Sequence, residues 1–161
     1  MTDYDQLLAE MPSSVSFGHS SVDLWHPSEL RERQIGYAAD PDGISLCGDA
    51  DGDWRSTWLA IGIEGESGDP LFIDTAVPGY PVYTAWHGEG RWDPIPIAVS
   101  LSGLREALIT VAKVSTGREN PTALKQNPIS SEERDLAFEE IRRHNPGIDL
   151  DFWALMLGDE H

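Results

Sequence analysis

The sequence predicts an α+β domain built on an antiparallel sheet, and two patterns carry this prediction. Between residues 58 and 99, four short apolar runs rich in Ile, Val, Tyr, Phe and Trp alternate with turn clusters that contain Gly, Pro and Asp. This alternation is typical of a meander of strands. Two segments with helical periodicity follow, over residues 101–114 and 131–144. We therefore expect a sheet of about five or six strands with helices packed on one of its faces.

The four apolar runs are predicted to form the centre of the sheet, because each is too short for a stable helix. They are residues 58–63, 71–73, 82–86 and 95–99. Upstream of them we expect a loop or edge strand over residues 13–19 and an extended piece over 22–25. We also expect a first strand of the sheet around Ile44, Leu46 and Cys47.

Helix signals lie on both sides of the sheet. Residues 101–114 place four apolar side chains on one stripe, which is the pattern of a helix that packs against a core. They are Leu101, Leu104, Leu108 and Val111. Ser130 followed by Glu133 is a capping box that begins the helix over 131–144. Shorter helices are predicted over residues 4–11 and 150–157 and from Pro27 towards Gly36, whereas 115–128 is predicted to be a long surface connection.

Length and composition indicate one domain over residues 1–161, with a core over about 15–114 and a C-terminal helical extension over 130–157. No apolar run approaches the roughly 18 residues that span a bilayer. The acidic N-terminus lacks the basic and apolar regions of a signal peptide. We therefore expect no membrane partner and a cytoplasmic location.

The charge balance is the strongest bulk signal in the sequence. Eleven Lys and Arg stand against 28 Asp and Glu, which gives a formal net charge of −17. Such a surface repels nucleic acid and attracts a cationic partner, and it speeds the encounter with that partner. The simpler interpretation is that the acidity keeps the protein soluble.

Candidate chemistry in the sequence does not form a catalytic or metal-binding pattern. Asp49, Asp51 and Asp53 resemble the start of a calcium loop, but Trp54 stands where that loop needs glycine and Ala60 where it needs glutamate. None of the five histidines lies in a nucleophile motif, and Cys47 is the single cysteine. We therefore expect a non-enzymatic protein without a cofactor or a bound metal. A small hydrolase or ligand-binding enzyme that uses His87 is the less favoured alternative.

Tryptophans near the predicted strand ends are the other candidates for a binding surface. Tryptophan is common both in cores and at interface anchors. Trp54, Trp58, Trp86 and Trp92 are of this kind, and Trp92 is predicted to be the exposed one because Arg91 and Asp93 flank it.

The order of these features resembles the SUKH superfamily, which includes fungal regulators of cell-wall synthesis and bacterial immunity proteins. The resemblance covers about residues 15–112 and lies mainly in a Gly-Asp-Pro strand and a Pro-Val-Tyr strand. The matching segments are Leu24-Trp25-His26-Pro27, Trp58-Leu59-Ala60-Ile61-Gly62, Gly68-Asp69-Pro70-Leu71-Phe72-Ile73-Asp74 and Pro81-Val82-Tyr83.

This resemblance implies an α+β domain that binds a protein, and it implies the role of an immunity protein that neutralises a cognate toxin. The net charge suits a basic toxin such as a nuclease. A regulatory or scaffold adaptor of the same fold is the alternative. The residues predicted to bind the partner are acids around the sheet and one tryptophan: Asp40, Asp42, Asp49, Asp51, Asp53, Glu64, Glu66, Glu89 and Trp92.

Overall fold

Six strands form one antiparallel sheet in which each strand pairs with its neighbours in the sequence, in the order β1 to β6. The computed structural model describes residues 2–86 and 90–158. The strands are β1 (Ser14–Phe17), β2 (Ser20–Leu24), β3 (Trp58–Glu64), β4 (Pro70–Asp74), β5 (Val82–Thr84) and β6 (Ile95–Ala98). The predicted meander is therefore confirmed, and the four apolar runs are β3 to β6.

Helices precede and follow the sheet. They are α1 (Asp3–Ala9), α2 (Leu30–Arg33), α3 (Leu101–Ser115), α4 (Pro121–Gln126), α5 (Ser131–His144) and α6 (Asp151–Leu157), and a 3₁₀ turn at Pro27–Glu29 leads into α2. The α+β class predicted from the sequence is confirmed. Among the described residues, no helix has both the length and the apolar composition needed to cross a membrane.

Strand β4 is buried on both of its faces. Leu71 and Ile73 point into the large core that the helices share, whereas Phe72 between them points into a smaller core on the opposite face. All three side chains are fully buried. Successive residues of a strand face opposite sides, so the sheet needs a cover on both faces.

Helix α3 covers the first face. It contacts both edge strands, β1 and β6, so the sheet curls around it. The predicted apolar stripe is confirmed, because its four residues and Ala107 are fully buried. The Ser100 hydroxyl accepts a hydrogen bond from the Gly103 N–H at 2.9 Å and caps the first turn.

Helix α5 packs chiefly against α3 and forms an outer layer over it. Both helices were expected to lie on the sheet, and α3 occupies that place because its face is the more apolar of the two. The fully buried Asn145 joins the layers at the end of α5. Its side chain accepts from the Val99 N–H at 2.9 Å and donates to the carbonyls of Gly103 at 3.1 Å and Ile141 at 3.0 Å.

Two predicted segments are wrong. Residues 44–47 form isolated bridges instead of a strand, because the Asp40 carboxylate accepts the N–H groups of Asp42 and Ile44 and holds a turn there. Residues 115–128 contain α4, which the Asn120 side chain caps by accepting the Ala123 N–H at 2.8 Å.

The side chain of Arg118 connects α3, the end of α4 and the start of α5 across residues 115–128. It is almost fully buried, donates to the Asn127 carbonyl at 2.7 Å and to the Val114 carbonyl at 2.9 Å, and forms an ion pair with Glu133 at 3.2 Å. The Glu133 side chain also accepts from the Ser130 N–H at 3.3 Å, which completes the predicted capping box.

We expect Asn145→Ala to lower the free energy of unfolding by about 3 kcal/mol, because buried backbone groups would lose their partners. Urea unfolding followed by tryptophan fluorescence measures this change. Gln126→Ala, at an exposed amide, is the control and should change stability by less than about 0.5 kcal/mol. Equal effects of the two substitutions would contradict the role given to Asn145.

The pKa of Glu133 is lowered, first by the hydrogen bonds from Ser130 and then by Arg118. A carboxylate with a lowered folded pKa stabilises the protein above its unfolded pKa and loses that contribution as the pH falls through the folded value. We therefore expect Glu133→Gln to be less stable than the parent near neutral pH. The difference should shrink as the pH falls below the ordinary value of 4.5.

Urea midpoints measured at several pH values check this expectation. Glu132→Gln at the neighbouring exposed position is the matched control, and its difference from the parent should stay small throughout. A Glu133→Gln difference that does not change with pH would disprove the role assigned to this carboxylate.

Candidate functional site

Six aromatic rings in mutual contact pack on the sheet face that lies opposite α3, and a seventh aromatic residue, Trp25, packs against the cores on both faces. We call the six rings the aromatic cluster: Tyr37, Trp54, Trp58, Phe72, Tyr83 and Trp92. Trp54 lies at its centre and is only 1% exposed. Its ring centroid is 4.8 Å from that of Phe72 and 5.4 Å from that of Trp58. The Trp54 indole N–H donates to the Trp58 carbonyl at 3.3 Å, so its polar atom is also satisfied.

Residues 35–57, which we call the cover segment, lie across this second face of the sheet with Trp54 as their anchor. The segment contains no regular strand or helix, but its backbone bonds to itself. The Leu46 N–H donates to the Ala38 carbonyl at 2.8 Å and the Gly48 N–H to the Trp54 carbonyl at 3.0 Å. The cover segment is therefore a folded layer.

The start of the cover segment is fixed to the sheet by Gln34. Its side-chain amide accepts the Ala60 N–H at 2.9 Å and donates to the Ala60 carbonyl at 2.8 Å. The β2–β3 pairing ends at Gly62, so Ala60 has no partner residue in β2. The Gln34 amide forms the two hydrogen bonds there that a strand backbone would otherwise form. The far end is held at Gly52, whose carbonyl accepts the Trp92 N–H at 2.7 Å.

Gly52 has a φ of +88°, and a Cβ there would lie 2.7 Å from Cβ of Arg91. The close approach of these two loops therefore requires glycine. Arg91 forms an ion pair with Asp93 at 2.8 Å. This hydrogen bond is the first cause of the raised pKa of Arg91, and the charge of Asp51 adds to it.

The acids of the cover segment have two roles. Asp40 and Asp53 hold turns: Asp40 accepts the Ile44 N–H at 2.8 Å, and Asp53 accepts the Ala50 N–H at 3.0 Å. Asp42, Asp49 and Asp51 are exposed. The structure thus brings all five predicted acids onto one layer, and it leaves three of them fully available to a partner.

The negative charge around the sheet is not balanced locally. Residues 34–90 contain ten Asp and Glu and a single basic residue, Arg55. The Arg55 guanidinium donates to the Gly48 carbonyl at 3.2 Å, inside the cover segment. The other Lys and Arg residues lie elsewhere in the sequence, eight of them after residue 90. The cover segment itself carries five Asp and the single base Arg55, so its net charge is strongly negative.

Exposed apolar side chains accompany these acids. Ile44 is 63% exposed, and Ile35 and Leu46 are about half exposed. They lie in the same short stretch as Asp40 and Asp42. A turn is closed there by the Asp40 N–H, which donates to the Ile44 carbonyl at 2.8 Å. Apolar groups surrounded by charge are typical of protein-binding surfaces. Their exposure was not predicted, because the sequence pattern favoured a strand around Ile44 and Leu46.

A second feature is an open cavity of about 330 Å³ at one end of the sheet, where β3 and β5 end and β2 and β4 begin. We call it the terminal pocket. Its lining residues are Ser20, Glu64, Glu66, Ser67, Asp69, Thr84, Trp86, Phe152, Leu155 and Met156. Two of the predicted acids, Glu64 and Glu66, therefore belong to this pocket and not to the cover segment.

The two acidic features adjoin at Tyr37. Burial in the aromatic cluster raises the pKa of the Tyr37 phenol, and the charge of Asp69 raises it further. Asp69 lines the terminal pocket, whereas Tyr37 belongs to the cover segment. The charge of one pocket residue, Asp69, thus reaches a residue of the cover segment.

The prediction that Trp92 is the exposed tryptophan is wrong. Trp92 is half buried, because its ring packs 5.6 Å from those of Trp54 and Tyr37. Trp86 is exposed instead, at 65%. Strand β5 ends at Thr84, two residues before Trp86, whereas the sequence predicted that the strand runs to residue 86.

Two predicted functional residues, Glu89 and His87, lie outside the described residues. The His87 enzyme therefore remains an alternative prediction. Asp49, Asp51 and Asp53 resemble only the start of a calcium loop. Over residues 2–86 and 90–158, no three His, Cys, Asp or Glu side chains converge closely enough to hold a metal ion.

We expect Trp54→Ala to destabilise the protein by about 3–5 kcal/mol, because it removes a fully buried ring from the aromatic cluster. Limited proteolysis should then cut within the cover segment before the rest of the chain. Trp86→Ala is the matched control, since that ring is largely exposed. Retention of protease resistance in Trp54→Ala would show that the cover segment is held by other contacts.

Comparison of the chain with protein-family models, curated proteins and solved structures finds no match of any of the three kinds. Membership of the SUKH superfamily therefore stays a prediction from the residues quoted above, and the site is interpreted from its own geometry.

Proposed function

We propose that this chain is a non-enzymatic protein-binding domain, and that it acts as an immunity protein by covering a basic surface of a cognate toxin. The observation that carries the proposal is the cover segment. It presents exposed carboxylates and exposed apolar side chains together, on a layer that is already folded.

The charge of this surface supports a basic partner. Complementary charge steers two proteins together and raises the association rate towards about 10⁸–10⁹ M⁻¹s⁻¹ at low salt. The ten acids and one base of residues 34–90 supply such a field. A nuclease toxin fits this description, because its substrate groove must be positive to bind phosphates.

The apolar side chains supply the contact that charge alone does not. Exposed charged pairs contribute little net affinity, whereas the removal of apolar surface from water is the main favourable term in most protein association. Ile44 and Leu46 lie beside Asp42 and would be covered by the same partner. The surface thus combines a steering charge with an anchoring centre, as protein interfaces do.

The internal bonds of the cover segment support tight binding for a further reason. Ordering a loop on binding costs free energy, and a surface that is folded in advance avoids that cost. The carboxylates of Asp40 and Asp53 and the anchor Trp54 order the segment in the free protein. The resemblance to the SUKH superfamily is what points to an immunity role in particular, since the surface itself indicates only a basic protein partner.

The direct test uses the genes that adjoin the gene of this chain. Each is expressed in a bacterial host with and without this protein, and growth is scored. The proposal expects one adjoining product that is toxic alone, harmless with this protein, and bound by it in calorimetry. A bound product that is not toxic would favour the regulatory adaptor, and the absence of any bound product would overturn the proposal.

The binding surface is tested with the pair Asp49→Lys and Asp51→Lys in one variant. We expect the dissociation constant for the toxin to rise about 10- to 100-fold, with most of the loss disappearing at high salt. Calorimetry at two salt concentrations measures it. Asp135→Lys with Glu139→Lys on the exposed face of α5 changes the net charge equally and is the matched control. Equal losses in both variants would show that bulk charge, and not the cover segment, is responsible.

A further inference from the structure

We propose that the terminal pocket receives an arginine side chain of the basic partner. This inference rests on the proposed function, because it names the group by which the partner is fixed in position beside the cover segment. It is carried by a cavity of suitable size, by its apolar wall and by the carboxylates at its rim.

The apolar wall comes from α6 and from the end of β5. Phe152, Leu155 and Met156 face the pocket from the helix, and Trp86 faces it from the sheet. Leu155 is 82% exposed although α6 buries Trp153, Met156 and Leu157 on its inner side. An arginine side chain places three methylene groups on such surfaces and keeps its charged end at the rim.

Trp86 adds a contact that favours a cation. Its ring is exposed at the mouth of the pocket. A guanidinium that lies over the face of a tryptophan is attracted by the ring electrons and also stacks on it. The molecule already contains one pair of this kind, because the guanidinium carbon of Arg33 lies 5.3 Å from the centre of the Trp25 ring.

Backbone hydrogen bonds orient one of the carboxylates at the rim, that of Glu64. The two oxygens of Glu64 accept the Glu66 N–H at 3.0 and 2.8 Å, and one of them also accepts the Ser67 N–H at 3.1 Å. These bonds orient Glu64, and its oxygens retain lone pairs for another donor. Glu66 is exposed beside it. A planar guanidinium can bridge two carboxylate oxygens with parallel hydrogen bonds, which an ammonium cannot.

The sign of the charge decides the class of occupant. Glu64, Glu66 and Asp69 line the pocket, and no Lys or Arg is among the described residues that line it. An anionic ligand would meet repulsion from every charged group there. A purely apolar ligand would gain nothing from the negative charge of this wall. A side chain with an apolar stem and a cationic end can pack its stem on the apolar residues and place its charge beside the carboxylates.

The test is a titration of the full chain, labelled with ¹⁵N, with the peptide acetyl-Gly-Arg-Gly-amide. We expect a saturable shift of the Trp86 indole signal with a dissociation constant of about 1–10 mM, which is ordinary for one side chain. The same peptide with citrulline in place of arginine keeps the shape and removes the charge. It should bind at least about 10-fold more weakly.

Variants locate the effect. Glu66→Gln should weaken arginine-peptide binding at least about 3-fold, and Asp42→Asn on the cover segment should leave it unchanged. Leu155→Ala, read through the Trp86 signal, should also weaken it, because the wall for the methylene groups is lost. Equal binding of the arginine and citrulline peptides, or no shift at Trp86, would overturn the proposal.

A second copy of this chain is the competing occupant, and sedimentation velocity tests it. A dimer that Leu155→Asp abolishes would assign the pocket to self-association and overturn the proposal. The peptide titration needs no toxin. Failure of the titration with intact toxin binding therefore rejects the arginine site alone, whereas the absence of any bound toxin rejects the proposed function.

Discussion

The structure depends on a sheet that has to be covered on both faces. In β4, Leu71 and Ile73 face the helices, and Phe72 faces the other way into the aromatic cluster. Each face exposed to water would lose the stabilisation of buried apolar area. Helix α3 supplies one cover through a continuous apolar stripe. The second cover is irregular chain, and Trp54 anchors it by packing its buried ring against Phe72 and Trp58.

This arrangement explains why an acidic stretch belongs to the folded part of the protein. A segment with five aspartates in fourteen residues, from Asp40 to Asp53, is a poor candidate for a structural layer by composition. The aromatic residues that flank it, Tyr37 and Trp54, pack in the core on the sheet, and its turns use aspartate side chains as hydrogen-bond acceptors. The remaining carboxylates are then presented on a fixed frame, so structure and proposed binding use the same residues for different purposes.

The sequence was sufficient where the signal is local. Alternating apolar runs predicted β3 to β6, the stripe from Leu101 to Val111 predicted α3, and Ser130 with Glu133 predicted the start of α5. The cover segment could not be predicted in this way, because Gln34 and Trp54 reach strands that lie elsewhere in the chain. Helix α4 was missed because prolines at 121 and 128 suggested a loop, although proline suits a first helical turn.

The candidate site was predictable in part for the same reason. The exposure of Asp42, Asp49 and Asp51 follows from their charge. Trp92 is half buried and Trp86 is exposed because Trp92 is the ring that contacts Trp54, and this contact is not local in the sequence. The terminal pocket joins residues 64–69 to α6, more than eighty positions later. Nothing local in the sequence connects them.

The uneven distribution of charge along the chain has a consequence for motion before contact. Only Arg55 is basic over residues 34–90, whereas eight of the eleven basic residues come later, and several of them, such as Arg142 and Arg143, are exposed on α5. A body with separated centres of charge has a permanent dipole. In the field of a positively charged molecule it experiences a torque, so it rotates its acidic end forward while the two are still separated by water.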